Sequence, residues 1–382
     1  MSITNPVYVA AVLLLLIVFA EWLASKKYFN YLGSTLIVIL AAAVLANVHV
    51  IPSSTDAPPL YDSIFTYVAP LAIFYLLLDV KLKDLRKAGL PMLSMFLVGS
   101  ACTIAGVFIG YNIIAPHHHG VDKAFAVAGM FTGTYIGGSA NLNAVALQYG
   151  VIKNGTLFAA INAADNIITT TWIIITLVLP AILQRWMPRK IIAAVTKNKK
   201  ENIQPLATTE NISVLGISVL LALGVASLFV SQLLSTYVPA IPSILVLTTI
   251  ALVLAQVPSV QNVKGGKILG YFMVLLFLAV VGAYCDIGAL IKNGEVAMIL
   301  MLWVTAIVFI HGILLFVIGG IFKQDWAIVS IASNANIGGA TSAGVLATAI
   351  GRSDLRLPGI LVGSVGNAIG TYLGVLVAEI LK

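Results

Sequence analysis

Charge is what this chain has least of. Only 9% of its 382 residues are Asp, Glu, Lys or Arg, whereas a soluble protein carries about a quarter. With 60% hydrophobic residues and a mean hydropathy of +1.04, the chain reads as an all-α polytopic membrane protein, and a soluble enzyme is excluded. Cysteine is nearly absent. Cys102 and Cys285 lie in or beside apolar runs, which argues against a structural disulfide. No GxxxxGK[ST] phosphate loop occurs, so direct drive by ATP is not expected. No HExxH or paired-acid metal motif occurs either, so neither a metal centre nor an enzyme is expected. The net charge of +7 does not point to nucleic acid here, because excess Lys and Arg in a membrane protein marks cytoplasmic loops. The first apolar run, Val7 to Ala24, contains Glu21 and lacks a basic leader and a small-residue cleavage site. It reads as a retained helix.

What is present is organised around Ala124–Gly150, AFAVAGMFTGTYIGGSANLNAVALQYG. Its ends are apolar, but Thr132, Gly133, Thr134, Gly137, Gly138, Ser139, Asn141 and Asn143 crowd its middle. Adjacent glycines each weaken a helix by about 1 kcal/mol. Bare backbone survives at membrane depth only where protein or a wet cavity covers it. Gly137-Gly138 therefore reads as a break and the polar residues as a lining. The plainer reading, small residues packing helices together, leaves the Asn, Ser and Thr unexplained. The pattern also recurs: shifted by 201 positions, the stretch falls on Ala327–Gly351 without a gap. Ile136-Gly137-Gly138 lands on Ile337-Gly338-Gly339, Gly150 on Gly351, Asn166 on Asn367 and Thr170 on Thr371. Upstream, Val107-Phe108-Ile109 lands on Val308-Phe309-Ile310.

Apolar segments of spanning length fall at 6–25, 33–49, 64–80, 90–114, the broken 124–150 and 155–184. They resume at 211–236, 241–257, 267–284, 295–320, the broken 324–350 and 356–381. The organisation is thus a first repeat over 1–184, a basic linker over 185–210 and a second repeat over 211–382. Arms of about twelve residues on each side of a glycine pair are roughly 18 Å long, enough to pass the middle of the membrane and turn back. If both broken elements are re-entrant and the N-terminus is periplasmic, 17 of the 21 Lys and Arg are cytoplasmic. If both cross instead, the bias vanishes, so the positive-inside rule favours hairpins. Five spans per half then invert the second repeat relative to the first. The hairpins enter from opposite faces and their tips meet, as in secondary transporters with discontinuous helices at the substrate site.

Asp165 is the sharpest candidate. An ionised Asp at the bilayer centre costs about 2.5–3.5 kcal/mol, so it faces a partner or water. Asn162, Asp165, Asn166 and Thr169 share one helix face. With the unwound Gly137, Gly138, Ser139, Asn141 and Asn143 they offer the oxygen ligands that a hard cation needs. Na+ is the expected coupling ion, with H+ open. The plainer alternative is an Asp that fixes helix packing. The solute is assigned to Thr132, Thr134, Ser333, Asn334, Asn336, Gly338, Gly339, Thr341, Ser342, Asn367 and Thr371, because free N–H groups where a broken helix restarts suit a carboxylate. His311, mid-span, reads as a packed residue before a proton carrier, and His117–His119 as a solvated turn. Asp79 and Asp286 read as interfacial.

The stretches EWLASKKYFNYLGSTLIVILAAAVLANVHVIP (Glu21–Pro52), TGTYIGGSANLNAVA (Thr132–Ala146), AADNIITTTW (Ala163–Trp172) and SNANIGGATSAGVLA (Ser333–Ala347) resemble the YjcL-like family of bacterial inner-membrane proteins, a domain of unknown function. The resemblance covers nearly the whole chain. It implies membership of the cation:proton antiporter and anion transporter superfamily, beside sodium–glutamate, 2-hydroxycarboxylate–sodium and bile acid–sodium symporters. That grouping implies a homodimeric elevator carrier in which spans 90–114, 155–184, 295–320 and 356–381 move with both hairpins. The function expected is sodium-coupled symport of a small organic solute: a carboxylate, an amino acid or a short peptide. The alternative is a Na+/H+ or other cation antiporter.

Overall fold

The computed structural model describes residues 4–26, 29, 33–53, 56–80, 88–189, 212–238, 241–285 and 294–382, and all regular structure among them is helical. Most of the linker and Asp286 lie outside the described residues. The first part of the chain forms α1 (Pro6–Ala24), α2 (Gly33–Asn47), α3 (Pro59–Leu77), α4 (Leu90–Ile114), α5 (Ala124–Gly137), α6 (Ser139–Gln148) and α7 (Gly155–Trp186). The second forms α8 (Val214–Tyr237), α9 (Ser243–Leu254), α10 (Gly266–Ala283), α11 (Gly294–Ile321), α12 (Trp326–Ile337), α13 (Gly339–Ala349) and α14 (Arg356–Leu381).

Several helix starts are written in short polar residues. The side chains of Asn5, Asn154, Ser213 and Asp325 each accept a bond from a first-turn backbone N–H of α1, α7, α8 and α12. Pro70 cannot donate a backbone bond, and the turn leading into it, Ile64–Val68, is wound as a π-helix. Among the described residues eight helices are long and apolar enough to cross a membrane. The spans expected at 33–49 and 241–257 are shorter, with 15 residues in α2 and 12 in α9. Left-handed His49 and then Pro52 stop α2, while Pro242 and Pro258 bracket α9.

The helices pack as two sets. One comprises α1, α2, α3, α8, α9 and α10; the other comprises α4, α5, α6, α7, α11, α12, α13 and α14. Packing within each set is much closer than across the seam between them. A separate apolar cluster fills part of that seam, with Ala144 and Ala368 from the second set against Phe74, Leu77, Leu247 and Ala251 from the first.

Both broken stretches turn back on themselves. Lys123 Nζ, before α5, donates to the Tyr149 carbonyl after α6 at 2.8 Å. Asp325, before α12, pairs with Arg352, after α13, at 2.7 Å. A straight helix of that length would hold those ends roughly 40 Å apart. Asp354 first, and then Asp325, push the Arg352 guanidinium pKa up, so the second clasp keeps its charge. The two bases sit at opposite ends of the bundle. Near the first lie the end of α14, through Tyr149 Oη to Glu379 at 2.8 Å, and the start of α7. Near the second lie the end of α11 and the end of α7, through Arg189 to the Gly320 carbonyl at 2.8 Å and Trp326 to the Met187 carbonyl at 2.9 Å.

Candidate functional site

Entering from opposite ends, the two hairpins bring their glycine pairs to the wall of one cavity of about 520 Å³ in the seam. The second glycine of each pair makes the break. Gly138 has φ +86° and Gly339 φ +77°, conformations that an L side chain rarely adopts. Of the residues singled out from sequence, Gly137, Gly138, Ser139, Gly338, Gly339, Thr341 and Asn367 line this cavity. So do Asp79, Lys267, Tyr271, Arg356 and Ser364. Asp79 reads from the sequence only as an interfacial residue, and Lys267 and Arg356 are not singled out there. No local pattern in the sequence points to the cavity they share.

Behind each break stands an asparagine. Positions eight apart face each other across both turns: Asn141 lies against Gly133, and Ser342 donates to Asn334 Oδ1 at 3.3 Å. Thr371 Oγ1 donates to Asn141 Oδ1 at 2.6 Å. The Nδ2 atoms of both asparagines are buried and have no hydrogen-bond partner. Next to this, α5 and α14 cross in backbone contact. Gly129, Gly133 and Gly137 meet Gly374, Gly370 and Gly366 in antiparallel order, and a Cβ on Gly137 would collide with the Gly366 carbonyl. The small-residue packing weighed from the sequence is therefore present in the same element as the break.

Asp165 does not line the cavity; it lies in a separate polar cluster. Its Oδ1 is buried and has no hydrogen-bond partner. The Thr134 and Tyr135 hydroxyls face it, and Thr169 faces Tyr135. Tyr135 Oη is likewise buried and unpartnered. Buried polar atoms without partners are uncommon and call for a reason. Tyr135 was missed in the sequence because an aromatic residue in an apolar run reads as core. Asn162 and Asn166 spend their amide N–H groups on backbone carbonyls one turn back, at 2.9 and 2.8 Å.

Other candidates are engaged within the protein. Thr132 donates to the Ala128 carbonyl at 2.9 Å, and Asn143 is buried in α6. Asn336 bonds Ser100 at 2.9 Å. Ser333 accepts from Trp172 Nε1 at 3.0 Å and bonds His311 Nε2 at 2.9 Å, while His311 Nδ1 lies 3.0 Å from the Gly99 carbonyl and 2.9 Å from Thr103 Oγ1. His311 is thus a packed residue with both ring nitrogens in use. His119, in the loop after α4, lies 3.5 Å from Glu295.

Residues 8–382 match the family described as a protein of unknown function, DUF819, and the chain belongs to that family. It is 28% identical over 367 residues to the uncharacterized membrane protein YjcL of Bacillus subtilis (strain 168), covering 91% of this chain and 89% of that protein.

Proposed function

We propose that this multi-pass member of a family of unknown function is a secondary active transporter that couples uptake of a small organic solute to sodium. The observation that carries the reading is the convergence of two oppositely inserted hairpin tips on one cavity in the seam between two helix sets. Broken helices meeting mid-bundle are the device by which secondary transporters bind solute and ion together. In this reading the halves are an inverted repeat, the set containing both hairpins moves as an elevator, and the protein works as a homodimer in the bacterial inner membrane with its N-terminus periplasmic.

Two further features support it. A second cavity of about 320 Å³ lies in the same seam near the base of the first hairpin, between Thr66 of α3 and Gln148 of α6. The apolar cluster holding Ala144 and Ala368 also occupies that seam. Cavities of this kind suit alternating access from the two faces. The cation is assigned to the cluster of Asp165, Thr134, Tyr135 and Thr169, which presents hydroxyl oxygens and a carboxylate whose Oδ1 has no hydrogen-bond partner. Asp165 is followed by Asn166 rather than a second acid, which favours symport over Na+/H+ exchange. The solute is assigned to the cavity and its two helix restarts. The test is uptake into proteoliposomes under an imposed sodium gradient. Asp165→Asn is expected to abolish the sodium dependence, and full sodium-driven uptake by that variant would remove the ion assignment.

A further inference from the structure

We propose that the shared cavity takes a zwitterionic solute, an amino acid or short peptide whose carboxylate and ammonium groups are held on separate walls. This deepens the transport reading and rests on it. Three charged side chains line the cavity: Asp79 beyond the end of α3, Lys267 in the first turn of α10 and Arg356 at the start of α14. None of them forms an ion pair among the described residues. Asp79 and Lys267 stand exposed at the rim, and Arg356 is half-buried. Charges of both signs that face one cavity without neutralising each other match a ligand of the opposite pattern.

The backbone adds to the positive side. Ser139 and Ala140 begin α6, and Gly339 and Ala340 begin α13, and all four line the cavity. First-turn N–H groups have no acceptor within their own helix, and each helix start carries a partial positive charge. Arg356 and the two helix starts therefore form an anion wall on the side of the hairpin set, while Asp79, the single cationic-group acceptor, stands with Lys267 on the facing set. A dicarboxylate would set its second carboxylate against Asp79, while a simple amine would leave the positive wall unmatched. Specificity of this kind needs the repelling charge as much as the attracting ones. A volume of about 520 Å³ falls within the usual range for small-molecule sites.

The experiment is calorimetric titration of the full chain in lipid nanodiscs with sodium present. Glycine, glycylglycine and triglycine are compared with succinate and ethylamine. At least one zwitterion is expected to bind, with succinate and ethylamine weaker by about tenfold or more. Arg356→Gln is expected to weaken the zwitterion roughly tenfold to hundredfold, and Arg356→Lys to restore part of it. Asp79→Asn is expected to narrow the gap between zwitterion and succinate. Lys267→Gln supplies a second variant should Arg356→Gln not fold. Equal binding of succinate and zwitterion, or an unchanged gap in Asp79→Asn, overturns the assignment while leaving sodium-driven transport standing. Absence of binding by every zwitterion also overturns it, and the proteoliposome experiment then decides the transport reading separately.

Discussion

Two helix crossings at positions 201 residues apart have opposite characters. Where α5 crosses α14, three glycine pairs bring backbone onto backbone. Where α12 packs on α7, the matching positions are Ser330, Asn334 and Gly338 against Ile173, Thr169 and Asp165. That contact is looser and is made by side chains: Ser330 Oγ donates to the Thr176 carbonyl at 2.6 Å and Trp172 donates to Ser333. Unpartnered buried atoms of Asp165 and Asn334 belong to the looser crossing. One crossing is sealed by the absence of side chains, and the other holds polar groups ready for a partner. Equivalent sequence positions thus close one crossing with bare backbone and leave unpartnered polar atoms at the other, where the proposed function assigns the ion.

The sharpest way to break this contrast is to put a side chain into the sealed crossing. Gly137→Ala drives a Cβ into the Gly366 carbonyl, and backbone on both sides cannot give way. A loss of about 3 kcal/mol or more is expected, seen as a lowered thermal midpoint in detergent. The hairpin bases come next. Arg352 and Asp325 are 16% and 8% exposed, so Arg352→Gln is expected to cost about 2 kcal/mol. Lys123→Gln, which removes one exposed bond to a carbonyl, is expected to cost below about 1 kcal/mol. Hydrogen exchange over 339–349 and 139–148 measures the two separately. Ser333→Ala leaves His311 and Trp172 short of a partner and is expected to cost about 1–2 kcal/mol by the same thermal assay. The smallest effect on stability belongs to Asp165→Asn. Its carboxylate Oδ1 has no hydrogen bond to lose, so a shift within about 1 kcal/mol is expected without sodium. Any stabilisation of the parent protein by sodium is expected to vanish in this variant, as read from melting curves across a sodium series.

The breaks were legible in the sequence because two adjacent glycines among Asn, Ser and Thr conflict with an apolar surround. Most helix positions were legible from runs of apolar residues, whereas α2 and α9 are shorter than their runs because left-handed His49 and flanking prolines cut them off. What stayed hidden was which polar residues face outward from their element. Asn336, Ser333 and Thr132 look like lining residues by type, yet each is hydrogen-bonded inside the protein, because helix azimuth is set by neighbours far along the chain. Asp79, Lys267 and Arg356 come from three distant helix ends, and no local pattern links them. The separation of Asp165 from the cavity likewise depends on how α7 leans on α12 rather than on spacing within α7.

The apolar cluster of the seam has a consequence for friction. Of the residues that α6 and α14 pack there, the buried ones are Ala144 and Ala368, whose methyl groups are too short to key into the facing Phe74, Leu77 and Leu247, while Leu147 and Ile369 are only partly buried. In the proposed elevator motion, a face whose most buried contacts are single methyls would leave little interlocking to undo. In the proposed transport cycle, a bulky residue at Ala144 would act as a brake, expected to slow turnover while leaving the binding of solute and ion intact.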